Sequence, residues 1–377
     1  MSSPDIGGVC PPQLEPVRAA FARNFEDGAE LGARFCLAIE SEIVVDLWAG
    51  FADRAQTRPF DEATLAPVFS TTKAVAALMV ARLVGQGALA YGQRVADLWP
   101  EFAAAGKGDV TVEQALSHQA GLPGFAEPMD PGLWFAWDVI CDKLAGMAPM
   151  WPPGTASGYH PVTFGYLAGE IFRRVDGRTI GRALAQDVAG PLGLDVFIGL
   201  PASEDHRVAE VRRPPAMPDL GPLTEPRRVA FLTKWASPDA RGSAEWRRAE
   251  IPSANGHATA AGLARLMAAL ACDGVVDGLE VLARGTAAEA AHERIIGEDL
   301  VLPRVMSWGA GFMRGRGSNL YGPGERTIGH SGWGGSCAFA DPDRRLSGAY
   351  VMNRQSSALI DDPRARRLIE AAYQALG

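Results

Sequence analysis

The stretch Thr71–Gly87, TTKAVAALMVARLVGQG, sets the strongest limit on how this chain can fold. Its residues are apolar on nearly every side of a helical projection. They predict a helix with no solvent face that stops at Gly85 or Gly87. Such a helix must be covered all round, which requires a chain able to build a large core. With 377 residues, 47% of them hydrophobic and 21% charged, this chain has that capacity. The apolar run is too short to span a bilayer and contains Arg82. A net charge of −8 argues against nucleic acid or an anionic membrane as partner.

Elements on either side suggest what covers the helix. ARFCLAIES and IVVDLWAGFAD read as an antiparallel hairpin turning at Ser41-Glu42. TVEQALSHQAGLPG opens on Thr111 and Gln114 at capping-box spacing. Residues 122–161 are rich in Pro, Gly and Trp and read as an irregular wall. VTFGYLAGEIFRRVDG is a helix closed by Gly177. Residues 201–252 read as a partly ordered cover over a site. After the amphipathic helix TAAGLARLMAALA come strands around RTIGHSGWGGSCAFADP and LSGAYVMNR, then a last helix, PRARRLIEAAYQAL. Strands at both ends imply one sheet built from both termini, with a mostly helical lobe inserted. The expected division is residues 1–65 and 250–377 for the α/β domain and 66–249 for the helical domain with its cleft-covering loops.

The first residues, MSSPDIGGVCPPQLEP, lack a basic and apolar leader pattern. Cys10, Cys36, Cys141, Cys272 and Cys337 are odd in number and scattered, as expected of reduced thiols in a cytoplasmic protein. No histidine or cysteine spacing suggests a metal, and no cofactor is implied.

Chemistry enters at FSTTKAV. Ser70 and Lys73 stand one helical turn apart on one face. A buried lysine with a lowered pKa can take the proton of a serine hydroxyl, and a helix N-terminus favours an oxyanion there. With seventeen serines and four lysines, about 0.2 chance S-x-x-K matches are expected. Positive charge in this chain is supplied almost entirely by arginine, so a lysine inside an apolar helix fits a deprotonable amine. The plain alternative is a surface lysine beside an N-capping serine. Tyr159, in SGYHPVTFGYLAGEI, follows a Gly-containing loop and precedes a helix. Close to Lys73 its phenol pKa would fall, letting it pass a proton to a leaving alcohol; the alternative is a packing residue.

GHSGWGGS, residues 329–336, looks at first like a nucleophile elbow at Ser331. Trp333 occupies the position where the G-x-S-x-G elbow needs glycine, and no histidine follows Ser331. The stretch reads instead as a glycine-rich strand that a carbonyl can approach closely.

S-x-x-K, a Tyr-led triplet some ninety residues on and a glycine-rich strand near the C-terminus resemble the penicillin-recognising serine hydrolases. ALSHQAGLP, FGYLAGEIF, PLGLDVF and GWGGSCAFADPDRRLSGAYVMN extend the likeness over roughly residues 30–375. The pattern is most similar to the family VIII carboxylesterases, in which Trp-Gly-Gly commonly replaces the Lys-Thr-Gly box. The resemblance implies an α/β (α+β type) β-lactamase/DD-peptidase-like fold, an antiparallel sheet flanked by helices. It makes Ser70 the nucleophile, with Lys73 and Tyr159 as base and acid. The oxyanion hole would join the Ser70 N–H to that of Trp333, if His-Ser-Gly is the replaced box, or of Ser336, if Trp-Gly-Gly is; the second register fits the esterase pattern. Trp333, Gly334, Gly335, His330, Trp134, Trp137 and His257 are substrate-wall candidates, with Phe135 and Trp151 as further aromatics. His118 reads as stabilising a turn.

The Tyr-His-Pro triplet lacks the Asn of β-lactamases, and no lysine stands in the third box. A cationic anchor would have to be His330 or a nearby arginine. The expected function is therefore hydrolysis of short-acyl, small-molecule esters through an acyl-enzyme, with oligomeric state open. A β-lactamase or D-alanyl peptidase, an acyltransferase and a domain that is acylated once without turnover are the alternatives.

Overall fold

The computed structural model describes residues 5–237 and 240–377. Nine strands form one antiparallel sheet in the order Gly7–Val9, Glu42–Gly50, Gly32–Ile39, Leu346–Met352, Cys337–Asp341, Ile328–Ser331, Met313–Arg314, Val305–Trp308, Ile295–Glu298. The two ends of the chain meet at its centre: Gly32–Ile39 pairs with Leu346–Met352 from Ala33 opposite Met352 to Ile39 opposite Leu346. Every residue of Leu346–Met352 is buried, because both faces of the sheet are covered. Ala349 and Val351 point into one core, and Leu346, Tyr350 and Met352 into the other. The helix Ala260–Ala271 lies on the first face, where Ser347 Oγ donates to the Ala264 carbonyl at 2.8 Å. The terminal helices Glu15–Glu26 and Pro363–Leu376 cover the second.

The all-apolar run forms the helix Thr72–Gly85, with eleven of its fourteen residues buried. The helix Thr163–Asp176 packs on it and ends at Gly177 in a left-handed conformation. The Thr111–Gln114 capping box is formed with both of its hydrogen bonds. A small three-stranded sheet, Ala66–Phe69, Gly256–Ala258 and Val196–Phe197, delivers the chain to the buried helix.

Three local expectations change. The hairpin turns at Glu40-Ser41, one residue earlier than read, because both adopt positive φ (52° and 71°) as a tight turn matched to strand twist requires. Within the supposedly irregular wall, Trp137–Gly146 is a ten-residue helix whose amphipathic pattern is hidden by flanking Pro and Gly. The glycine-rich stretch is not a continuous strand. The strand ends at Ser331, Gly332–Ser336 is a turn closed by the Gly332 N–H on the Ser336 carbonyl (2.7 Å), and pairing resumes at Cys337.

Candidate active site

Ser70 sits in the turn between the strand Ala66–Phe69 and the helix Thr72–Gly85. Phe69 makes this corner with φ +47°, a left-handed conformation that costs a side-chain-bearing residue roughly 1–3 kcal/mol. The corner is held from outside: Thr72 Oγ1 bonds to the Phe69 carbonyl, and Ser336 Oγ donates to the Val68 carbonyl at 2.8 Å. The Lys73 N–H reaches the Ser70 carbonyl at 3.0 Å, so the one-turn spacing survives although the helix proper begins at Thr72.

Lys73 is 0% exposed, and its Nζ has three neighbours: Ser70 Oγ at 3.1 Å and the carbonyls of Pro161 (2.7 Å) and Ser253 (2.9 Å). Burial alone pushes its pKa well below the usual lysine value. A neutral amine has two N–H donors and one lone pair. The two carbonyls can only accept, so they take the N–H groups and leave the lone pair for the Ser70 hydroxyl.

Tyr159 arrives from a different part of the chain, on a loop that is pinned at every residue. Asp299, fully buried, accepts from the Tyr159 N–H (2.9 Å), the Val301 and Leu302 N–H groups, Ser157 Oγ (2.9 Å) and Trp308 Nε1 (3.2 Å). The Gly158 N–H bonds to the His118 carbonyl, and His118 Nδ1 accepts from the His160 N–H at 3.1 Å. His160 accepts from the Leu122 N–H through Nε2 (2.9 Å), so its Nδ1 donates to the Gly158 carbonyl (2.6 Å). Burial lowers the pKa of His160 to about 3 and that of His118 well below its usual value; both rings are neutral struts. His118 thus has the turn-stabilising role expected of it.

The Tyr159 ring stacks on Trp308 and stands over Lys73 Nζ at 4.9 Å. Burial raises its phenol pKa, and the nearby Ser70 hydroxyl only partly opposes this. That overturns the expected fall: a neutral Lys73 offers no positive charge to stabilise a phenolate, so Tyr159 stays protonated.

A cleft of about 250 Å³ opens over Ser70 and is lined by Tyr159, Trp134, Trp333, Ser331 and apolar residues including Val162, Phe231, Leu302 and Met313. The cover segment supplies Met217, Leu220, Arg241 and Trp246. Other wall candidates lie elsewhere. Ser336 is buried behind the turn with its hydroxyl on Val68 and Thr71. Gly334 and Gly335 face away from the cleft. A Cβ on Gly334 would strike Gln355, and one on Gly335 would lie 2.5 Å from Arg364 Nη2, which itself donates to the Gly334 carbonyl at 2.6 Å. Their missing side chains accommodate this support rather than a substrate carbonyl. His330 is buried, bonded through Nδ1 to the Ser331 carbonyl, and kept neutral chiefly by burial, so it cannot be the cationic anchor. Trp137 donates to Glu170 and packs on Tyr166, while Trp151 donates to the Ala156 carbonyl and braces the Tyr159 loop. Phe135 does not reach the cleft, and His257 lines a neighbouring pocket.

Residues 17–373 match the Beta-lactamase family model, a span that includes every strand of the main sheet but Gly7–Val9. The chain belongs to the beta-lactamase family.

Among relatives in that family, the Esterase/beta-lactamase LipL of Mycobacterium tuberculosis is 33% identical over 376 residues, covering 95% of this chain and 86% of LipL. A solved family VIII carboxylesterase is 45% identical, with TM-score 0.93 over 98% of this chain and all of that one. A penicillin-binding protein homologue from Caulobacter crescentus is 62% identical, with TM-score 0.97 over the same shares. Sequence reasoning missed Asp299, Arg241 and Arg364. Asp299 had one available signal, an acid directly before the apolar run Leu300-Val301-Leu302 in GEDLVLP. Arg241 and Arg364 had none, since arginines abound here. Among the described residues no helix is long and apolar enough to cross a membrane, and no cluster of His, Cys, Asp and Glu is arranged to hold a metal ion.

Proposed function

We propose that this member of the beta-lactamase family is a serine carboxylesterase that hydrolyses short-acyl esters through an acyl-enzyme. The observation that carries the reading is the fully buried Lys73 amine 3.1 Å from Ser70 Oγ, its other hydrogen-bond partners two carbonyls and its pKa pushed down by burial. Lys73 removes the hydroxyl proton as Ser70 attacks the ester carbonyl. The oxyanion is received by the N–H groups of Ser70 and Trp333, neither of which has another acceptor among the described residues. Trp333 replaces Ser336 in this role because Trp333 lines the cleft and Ser336 does not. Tyr159, held as a protonated phenol against Ser70, donates to the departing alkoxide. Water then releases the acid. Trp134 and the apolar lining favour an aliphatic acyl chain.

The 45% identical family VIII carboxylesterase supports ester hydrolysis, while LipL is named for both esterase and beta-lactamase. Pro161 in place of an amide side chain and the neutral His330 support ester hydrolysis over lactam cleavage. The proposed division is residues 1–65 with 250–377 and residues 66–249, supported by a central sheet drawn from both chain ends. A cytoplasmic location is proposed from the five free cysteines, four of them buried. The test is turnover of p-nitrophenyl butyrate and a chromogenic cephalosporin by the wild type and Ser70→Ala. Faster ester turnover that vanishes in Ser70→Ala is expected; ester hydrolysis persisting in the variant would sink the assignment.

A further inference from the structure

Beside the catalytic cleft lies a second, polar pocket of about 430 Å³, and the two share Phe69, Arg241 and Trp246 as a common wall. It is lined by Arg54, Arg213, Arg241 and Arg247, against Asp205 and Glu210. Those two acids are engaged: Asp205 pairs with Arg247 and Arg248, and Glu210 accepts from the Arg54 backbone N–H at 3.0 Å. Arg241 and Arg213 have no carboxylate partner among the described residues. The Arg241 guanidinium stands 4.8 Å from the Trp333 ring centroid, and one of its N–H groups reaches Ser237 Oγ at 2.7 Å. Burial, with the charge of Arg213 adding to it, lowers the Arg241 pKa to about 10, so it remains a cation at neutral pH. His257, at the inner wall, is fully buried with neither ring nitrogen hydrogen-bonded, and Gln355 Oε1 is likewise buried without a partner. Buried polar atoms without partners in a cationic pocket are what a site for a polar ligand leaves open.

We infer that this pocket is an anion subsite in which Arg241 binds a carboxylate at the far end of the substrate's acyl chain, so that preferred substrates are half-esters of dicarboxylic acids. A guanidinium fork matches a carboxylate in geometry and charge. Asp205 and Glu210 in the same wall would repel a doubly charged phosphate. The acyl side is indicated because Tyr159, which faces the departing alcohol, lines the catalytic cleft and not this pocket. The substrate class rests on the esterase reading; the anion site does not.

The experiment compares the mono-p-nitrophenyl ester of glutaric acid with p-nitrophenyl valerate, which has the same acyl length, on wild type and Arg241→Met. The quantity read is the ratio of the two kcat/KM values within each protein, which partial unfolding leaves untouched. The ratio is expected to fall about tenfold or more in the variant, as loss of one charge-assisted pair implies. An unchanged ratio overturns the proposal. If neither ester is turned over, the esterase reading fails, and calorimetric titration with glutarate decides the subsite alone. Binding by wild type that weakens about tenfold in Arg241→Met supports it, and no binding by wild type overturns it.

Discussion

Lys73 and Ser70 meet at the floor of the cleft with no carboxylate hydrogen-bonded to the amine among the described residues: Nζ and Oγ are 3.1 Å apart, and the other hydrogen bonds of Nζ go to the carbonyls of Pro161 and Ser253. A charged lysine is ordinarily buried only with an acid to pair it. Here no acid acts on it, so burial pushes its pKa down and favours the free amine that a base requires.

The pH profile should follow that amine. kcat/KM is expected to rise with pH through one ionisation on the acid side, at a value well below the ordinary lysine range, as Lys73 loses its proton. Lys73→Arg cannot deprotonate and should be inactive throughout. A profile flat down to the carboxylate range would contradict Lys73 as base. Stability carries the same signature. The folded pKa lies below the unfolded one, so the unfolded chain binds the extra proton between the two values, and stability rises with pH across that window. Wild type should therefore gain stability relative to Lys73→Met as pH climbs, a trend that urea denaturation at several pH values would reveal.

Tyr159→Phe should lower kcat by about 10²–10⁴-fold, the usual share of a general acid. Because Asp299 and His118 hold the loop through the backbone of residues 158–160, the fold should persist. Unchanged kcat with p-nitrophenyl butyrate would need a second ester with a poorer leaving group, where the acid matters more. Full activity on both would remove Tyr159 from the mechanism.

Asp299→Ala leaves Tyr159, Val301 and Leu302 N–H groups without their acceptor inside the protein. A loss of roughly 3–5 kcal/mol is expected, as for other broken buried charge networks. kcat should fall more than KM rises, since the loop carrying the phenol is released. Denaturation midpoints and kinetics on the same sample would check both effects.

Gly335→Ala tests the turn that carries Trp333. With φ +131° and Arg364 Nη2 2.5 Å from the new Cβ, the turn must move or Arg364 must leave Gly334. Reduced stability by roughly 1–3 kcal/mol and reduced kcat/KM are expected. A variant with wild-type kinetics would show that this support is dispensable for the oxyanion site.

The sequence by itself determined the elements whose evidence is local. Helical periodicity gave the buried Thr72–Gly85 helix, capping chemistry gave Thr111, and S-x-x-K named Ser70 and Lys73, because one helical turn is a distance that spacing can measure. Tyr159 was legible as a candidate from its place between a loop and a helix, and the likeness to a family supplied its role and the antiparallel sheet flanked by helices. Only the tertiary structure decided what long-range packing controls. It set the protonation states of Lys73 and Tyr159, which depend on what encloses them. It placed Trp333 on the cleft and Ser336 behind it, because Gln355 and Arg364, which shape that turn, act from 22 and 30 residues further on, beyond what local spacing measures. It also revealed Asp299 and Arg241, whose roles depend on partners distant in sequence, Tyr159 for the one and Trp333 for the other.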